Sequence, residues 1–443
     1  MKQISLFLLI LLISSSIFGW SLMERQAIGN YVQSMSARSA AMGGACTAWS
    51  YGVADLTHNP AGLTRLQHVT GMEMSVAIMQ VEERRSIALY NFFDSYVDEG
   101  TYAVNTNYFA DYSGGIYYTF RTGNLSWGTA FLFRPVFTYD CYYEEEVRTD
   151  SGSDNNEYPY SIAINTIDGV GTLYANSLLL SGAASDFPFN SNLSAGIMVS
   201  RYFGNHKLNS AIEWTEQSQS VTSDFVLPDY HQNMDRDLSG TGFKLGLQAD
   251  INERVACGFA FEPKVEITIE QSFNGVSVSD SKTWLPTRFR AGITYRPRNI
   301  MQTFVNFDVE RINWSDVSDS YKDSYVWYMG VEHQVVRALP LRLGFRYETT
   351  PIDDSIDIPT ITGGSGFQLL DKVNIDFAVE YSARKYRIMD LFPDSYYNDT
   401  NYADDPAYVS QFWQEAKRDR GWDNADKVTE NFVKVTTTIG FNW

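Results

Sequence analysis

The chain has 443 residues and 53 acidic against 34 basic side chains, a formal charge of −19 that would repel phosphate backbones and excludes nucleic acid as a partner. Aromatics make up 15% of it, with 28 Tyr, 27 Phe and 10 Trp, yet mean hydropathy is only −0.25. That combination suits strands alternating between two environments better than continuous apolar cores. The cysteines, at 46, 141 and 257, are odd in number and widely spaced, so they make no disulfide framework and allow one pair at most.

The chain opens on MKQISLFLLILLISSSIFGWS. Lys2 supplies the positive start, Ile4 to Ile13 the apolar core, and the small residues Ser14 to Ser16, Gly19 and Ser21 a cleavage region. This predicts a secretory signal peptide over residues 1–21, cut after Gly19 or Ser21. Its apolar core is short for the ~20 residues a membrane span needs, and no later segment predicts a transmembrane helix.

Residues 22–67 differ from all that follows. SARSAAMGGACTAWSYGV is a run of small residues, and ADLTHNPAGLTRL after it suits a helical turn, with Pro60 at its start and Asn59 as its cap.

From residue 68 the period is two. In FVKVTTTIGFNW, Val433, Val435, Thr437, Ile439, Phe441 and Trp443 share one face, and Lys434, Thr436, Thr438, Gly440 and Asn442 the other. In TRFRAGITYRP, Phe289, Ala291, Ile293 and Tyr295 oppose Arg288, Arg290, Gly292, Thr294 and Arg296. LRLGFRYE, FVNFDVE and NIDFAVEY repeat the pattern. Charges of both signs alternate with aromatics, as in a strand lying between lipid and an aqueous lumen.

The predicted strands run near 69–81, 112–121, 124–138, 172–185, 192–214, 238–250, 253–270, 287–297, 300–312, 324–336, 340–348, 361–370, 371–386 and 431–443. Short turns alternate with long loops near 91–111, 139–171, 215–237, 271–286, 313–323, 349–360 and 387–430. About fourteen antiparallel strands joined in this rhythm predict an all-β fold, a closed transmembrane barrel over 68–443. The last loop contains PAYVSQFWQEAKRDRG, which predicts a short helix between Pro406 and Gly421. Its acidic stretches and DCYYEEEVRTDSGSDNNE offer oxygens to a calcium ion, but without EF-hand spacing they read as solvated surface.

Chemistry-bearing motifs are missing. His58, His68, His206, His231 and His333 form no HExxH, and the sequence has no CxxC, GxSxG or P-loop. No enzyme activity, metal or cofactor is expected. The glycines of TITGGSGFQL, Gly363, Gly364 and Gly366, lie within strand, where glycine allows bending or close packing.

QSMSARSAAMGGACTAWSYGVADLTHNPAGLTRL resembles the N-terminal signature of the FadL/TodX family of long-chain fatty-acid and hydrocarbon transporters. Asp55, Asn59, Pro60, Ala61 and Gly62 match it. NWSDV at 313–317, and LRLGFRYETTPIDD with IPTITGGSGFQL after it, are similar to the family as well. The resemblance implies a fourteen-stranded barrel plugged by an N-terminal hatch, with a hydrophobic ligand inside and a lateral exit at a kink in the third strand. The hatch residues would then form a gate over 22–67.

In the third strand, NLSWGTAFLFRPVF, Arg134 and Pro135 mark either that kink or a strand end near the outer surface. A carboxylate cargo would need an inward cation, and alternation offers Arg134, Lys244, Arg288, Arg290, Arg342, Arg346 and Lys434. Most of these should pair with Asp308, Glu310, Glu348, Asp376 or Glu380. The expected partners are fatty acids or hydrocarbons, outer-membrane lipid, and the barrel-assembly machinery at the C-terminal strand ending Phe441-Asn442-Trp443. The barrel is expected to be a monomer. Related barrels similar to PorV-type secretion proteins share the signature, so an anchor or shuttle without transport is the competing expectation.

Overall fold

The computed structural model describes residues 29–33, 36–66, 68–90, 93, 95–148, 161–187, 191–215, 230–298, 300–336, 339–369, 372–388, 391–392 and 426–443. The signal peptide and the helix expected over 406–421 lie outside the described residues.

The described residues begin with a two-residue strand, β1 (Asn30–Tyr31), a short helix, α1 (Ala37–Ala41), and two 3-10 turns, Ala54–Thr57 and Pro60–Arg65. The wall follows: β2 (Thr70–Tyr90), β3 (Tyr96–Thr122), β4 (Leu125–Thr138), β5 (Cys141–Arg148), β6 (Ser161–Val170), β7 (Thr172–Phe187), β8 (Ser191–Trp214) and β9 (Tyr230–Asn252). It continues with β10 (Val255–Glu262), β11 (Val265–Phe273), β12 (Val276–Ser277), β13 (Ser281–Leu285), β14 (Thr287–Tyr295), β15 (Thr303–Asn313) and β16 (Ser324–Val336). The last strands are β17 (Leu339–Thr349), β18 (Asp357–Leu369), β19 (Val373–Ile388) and β20 (Asp426–Asn442).

Each of the pairs β4–β5, β6–β7 and β10–β11, and the run β12 to β14, is one interrupted stave, which makes a closed antiparallel barrel of fourteen. The last strand closes on the first, from Gly71 opposite Asn442 to Ser86 opposite Lys427. Closure joins the two ends of the sheet, as lipid requires, and gives the staves two neighbours except along part of the border between β3 and the third stave.

The predicted alternation holds with its inverted sense. Phe289, Ile293, Tyr295, Leu343, Phe377, Val433 and Val435 are exposed around the outside, while Arg288, Arg290, Asp308, Glu310, Arg342 and Glu380 are buried within. Polar residues on the inside are reachable because they meet one another and the N-terminal block rather than lipid.

The strands are longer than their apolar alternation suggests. The loop expected over 91–111 is strand from Tyr96 onward, and that over 139–171 contains β5 and β6. The loop over 215–237 gives way to β9 at Tyr230, that over 271–286 is largely β11 to β13, and the 387–430 loop is strand up to Ile388 and again from Asp426. These extensions are rich in Asp, Glu, Asn and Thr, so they lack the lipid-facing signal. Their ladders continue regardless, because backbone pairing does not require an apolar face.

Residues 36–66 fold back into the lumen. Ala37, Ala40, Ala41, Met42, Ala45, Cys46, Ala48, Leu56, Ala61 and Leu63 are almost wholly buried there. The wall makes room for them with inward glycines paired across neighbouring strands. Gly196 faces Gly246, Gly258 faces Gly292, and Gly330 faces Gly344. A Cβ on Gly246 would lie 2.1 Å from Asn59 Oδ1, one on Gly258 2.2 Å from the Thr47 carbonyl oxygen, and one on Gly330 2.3 Å from that of Met42. Gly364 in TITGGSGFQL serves likewise: its Cβ would come within 2.6 Å of the Ala41 Cβ, so this glycine is there for close packing.

Candidate functional site

The hatch is built from local signals. Ser36 caps α1 by accepting from Ser39 N–H, and Asn59 caps the second 3-10 turn by accepting from Ala61 N–H, with Pro60 in the first helical position. The amide of Asn59 also donates to the Thr47 carbonyl at 2.7 Å and to the Leu247 carbonyl of β9 at 3.0 Å. One side chain therefore caps the turn, braces the loop before it and fixes both to the wall. Pro60 and Ala61 lie over Gly196, and Gly62 packs so closely on Ser50 that a Cβ would sit 2.0 Å from its Oγ.

Asp55 ties the two ends of the block together. One carboxylate oxygen accepts from Ser36 N–H at 3.2 Å and Ser36 Oγ at 3.0 Å, and the other from Tyr51 and Gly52 N–H at 2.9 and 3.1 Å. Burial pushes this carboxyl up from its usual range, and the surrounding donors oppose that push by holding the charged form.

The wall completes the clamp. Glu73 of β2 accepts from Val53 N–H at 2.8 Å, and Asp308 of β15 accepts from Cys46 N–H, Thr47 N–H and Thr47 Oγ at 2.9, 2.9 and 2.7 Å. Arg290 of β14 donates to Asp308 at 3.0 Å, to the Gly44 carbonyl and to His58 Nδ1 at 2.7 Å. Lys244 donates to the Thr57 carbonyl at 2.7 Å, and Arg38 of α1 pairs with Glu332 of β16. Burial and the cations Arg290, Lys244, Arg288 and Arg134 depress the His58 pKa well below its ordinary value, so the ring is neutral.

The third stave is broken where the sequence places Pro135. Its ladder to β3 runs from Thr122 opposite Leu125 to Gly114 opposite Phe133 and ends there. From Arg134 to Thr138 the alternation is lost and every residue is buried, so the strand has turned into the lumen. Against β7 the register slips between Pro135 and Phe137. The edge that β3 no longer covers is taken by β1: Asn30 faces Thr138, Tyr31 faces Phe137, and Val32 N–H donates to the Val136 carbonyl at 2.9 Å. The N-terminal segment thus covers the inner side of an interruption in the wall.

Two pockets flank this place, each with room for about one water molecule. One is lined by Val32, Gln33, Asp111, Ser113, Pro135 and Lys434, and the other by Tyr31, Arg134, Phe137, Glu262, Arg288 and Trp314. Around the second, an apolar lumen core joins Val136, Phe137, Leu173, Tyr202, Trp314 and Tyr328.

Four of the inward cations, Arg134, Lys244, Arg288 and Arg290, gather around His58, while Arg342 and Arg346 pair with other carboxylates. Lys244 pairs with Glu262 at 2.8 Å, Arg288 with Glu310 at 3.0 Å, Arg342 with Glu332 and Asp376 at 2.6 Å each, and Arg346 with Glu348 and Glu380 at 3.2 and 3.0 Å. Arg288 lies 3.8 Å from the centre of the Tyr31 ring. Arg134 borders the second pocket with its buried Nε unbonded among the described residues. Glu73, Asp308, Glu332, the paired glycines and Asn306, whose amide donates to the Ala45 carbonyl at 2.7 Å, carry the hatch and have no motif of their own. Alternation places them inside, but it does not say what they touch. No group of side chains among the described residues is arranged to hold a metal ion, and Cys46 and Cys257 are free thiols.

A barrel with an apolar outer surface, a lumen filled by its N-terminal block and an interrupted third stave has the architecture of an outer-membrane β-barrel. The resemblance within that class is to the FadL/TodX proteins: residues 176–390 match the family model described as outer membrane protein transport protein (OMPP1/FadL/TodX). The fold agrees. The Pseudomonas putida toluene transporter TodX is 14% identical with a TM-score of 0.56, over 93% of this chain and 99% of that one. A Pseudomonas aeruginosa FadL homologue is 12% identical with a TM-score of 0.57, over 94% and 99%. The Ralstonia pickettii toluene transporter TbuX is 16% identical with a TM-score of 0.54, over 93% and 99%. No curated protein matches the sequence.

Proposed function

We propose that this barrel takes up hydrophobic molecules passively, long-chain fatty acids or hydrocarbons, and releases them sideways through the wall at the third stave. The observation that carries this is the end of the β3–β4 ladder at Gly114 and Phe133, with Arg134 to Thr138 turned inward and β1 on the vacated edge. Cargo captured among the outer loops would enter the apolar lumen core, displace β1 and leave through the interruption into the bilayer. Lateral exit suits such cargo, since each CH₂ returned to water costs about 0.8 kcal/mol. In this scheme Asp55 and Asn59 to Gly62 hold the gate, Pro135 keeps the kink, and the cations of the lumen, Arg134 among them, are where a carboxylate would bind. The C-terminal strand ending in Phe441-Asn442-Trp443 would engage the assembly machinery, and the barrel would act as a monomer.

The test is Pro135→Val. Valine restores the ladder donor that proline lacks and fits a straight strand. The account expects an assembled barrel with labelled fatty-acid uptake slowed by about tenfold, the rate change expected from a barrier raised by roughly 1.4 kcal/mol. Unchanged uptake by a correctly assembled variant would refute lateral release here. The filled lumen also suits a barrel that anchors or shuttles a partner, and a stable protein partner without uptake would favour that reading.

A further inference from the structure

The interruption has an upper border unlike its lower one. Below it, β3 and β4 are joined by a continuous ladder from Gly114 to Thr122. Above it, the third stave resumes as β5, which runs beside β3 with no ladder between them among the described residues. Asparagine side chains stand in for the missing backbone partner. Asn105 Nδ2 donates to the Glu144 carbonyl at 3.1 Å, while its Oδ1 accepts from Glu144 N–H at 3.0 Å. Asn107 Nδ2 donates to the Tyr142 carbonyl at 3.0 Å.

A carboxamide carries the same donor and acceptor as a peptide group, so Asn105 reproduces the two-bond exchange of an antiparallel pair at the end of a side chain. The lumen side adds a looser tie, with Arg85 of β2 over the Tyr143 ring at 5.2 Å.

Parting this seam need not unfold either strand. On its far side β3 is laddered to β2 from Thr70 opposite Tyr118 to Tyr90 opposite Tyr96, and β5 is laddered to β6 from Cys141 opposite Gly169 to Arg148 opposite Ser161. A backbone ladder resists opening through its closely spaced backbone bonds, whereas the two asparagines tie this seam with three. Rotatable amides aimed from the lumen side can let go and turn to luminal polar groups.

We propose that Asn105 and Asn107 form a latch on the β3–β5 seam, which opens upward from the kink and sets the widest cargo that can leave. This rests on the lateral-release reading. Linear chains pass the interruption with the latch closed, and broad ring systems need it open.

The test uses the full-length protein with Asn105→Ala and Asn107→Ala together, and compares uptake of labelled pyrene with labelled hexadecane. The proposal expects the pyrene-to-hexadecane ratio to rise about tenfold, a size fitting the loss of a few hydrogen bonds. An unchanged ratio, while Pro135→Val still slows both cargoes, would overturn the latch and leave lateral release standing. Indifference of both cargoes to Pro135→Val would overturn lateral release, and the latch with it. Should the double variant fail to assemble, hydrogen exchange in the unaltered protein decides. Faster exchange in peptide 141–147 than in 126–133 supports the latch, and equal protection refutes it.

Discussion

His58 is seated where a second proton has no place. Arg290 donates to its Nδ1, and Lys244 of β9, Arg288 of β14 and Arg134 of β4 surround the ring with positive charge. An unseated ring titrates near pH 6.5. The released hatch therefore binds a proton that the seated hatch does not, so seating is favoured above that pH and loses stability as pH falls below it. Hydrogen exchange over residues 54–62, corrected for the intrinsic rate, should accelerate between about pH 7.5 and about pH 5.5, and His58→Gln should remove the acceleration. The same acceleration in the variant would assign the effect elsewhere. Asn59 and Pro60 are legible as a cap and a first helical residue, because capping geometry is local and leaves residue-type signatures, whereas Asp55, Ala61 and Gly62 are singled out by the family resemblance alone. Asp308 and Glu73 are not legible, since alternation gives a side chain's face and not its partner across the lumen.

At the scale of elements, the wall and the hatch are fitted through glycine. The pair Gly196 and Gly246 leaves a flat seat for Asn59 to Ala61, and Gly246→Val would drive side-chain atoms into Asn59. Overpacking of this kind costs about 1–3 kcal/mol. Its ladder partners are unaffected, so the barrel should assemble while the hatch exchanges faster. Gly440→Ala is the control, because its Cβ would meet the Asn374 Cβ only at 4.0 Å. Equal behaviour of the two variants would refute the seat. Strand identity was legible where lipid imposes apolar alternation, as in β14 and β20. It was not where β3, β5 and β6 continue through polar sequence, and so the loops near 91–111 and 139–171 were expected too long. Pro135 was legible as an irregularity. That β1 replaces β3 as its neighbour was not, since a two-residue strand has no pattern.

At the scale of the molecule, the fold separates two tasks. The closed wall from β2 to β20 makes the barrel, and residues 29–33 and 36–66 fill its lumen. The hatch is held by side chains from β2, β9, β14, β15 and β16 and by no disulfide, since Cys46 is free. Deletion of residues 31–62 should therefore leave an assembled barrel that admits solutes without control, seen as raised conductance in planar bilayers. Conductance like that of the intact protein would show that the block is no plug.

The claim on which everything rests is that hydrophobic molecules pass through this lumen. The direct measurement is mass spectrometry of lipids retained by the detergent-purified protein, read together with uptake of labelled fatty acid by cells that carry it. The account predicts retained apolar lipid and uptake above cells lacking the protein. No retained lipid and no uptake, with the barrel correctly assembled, would contradict it.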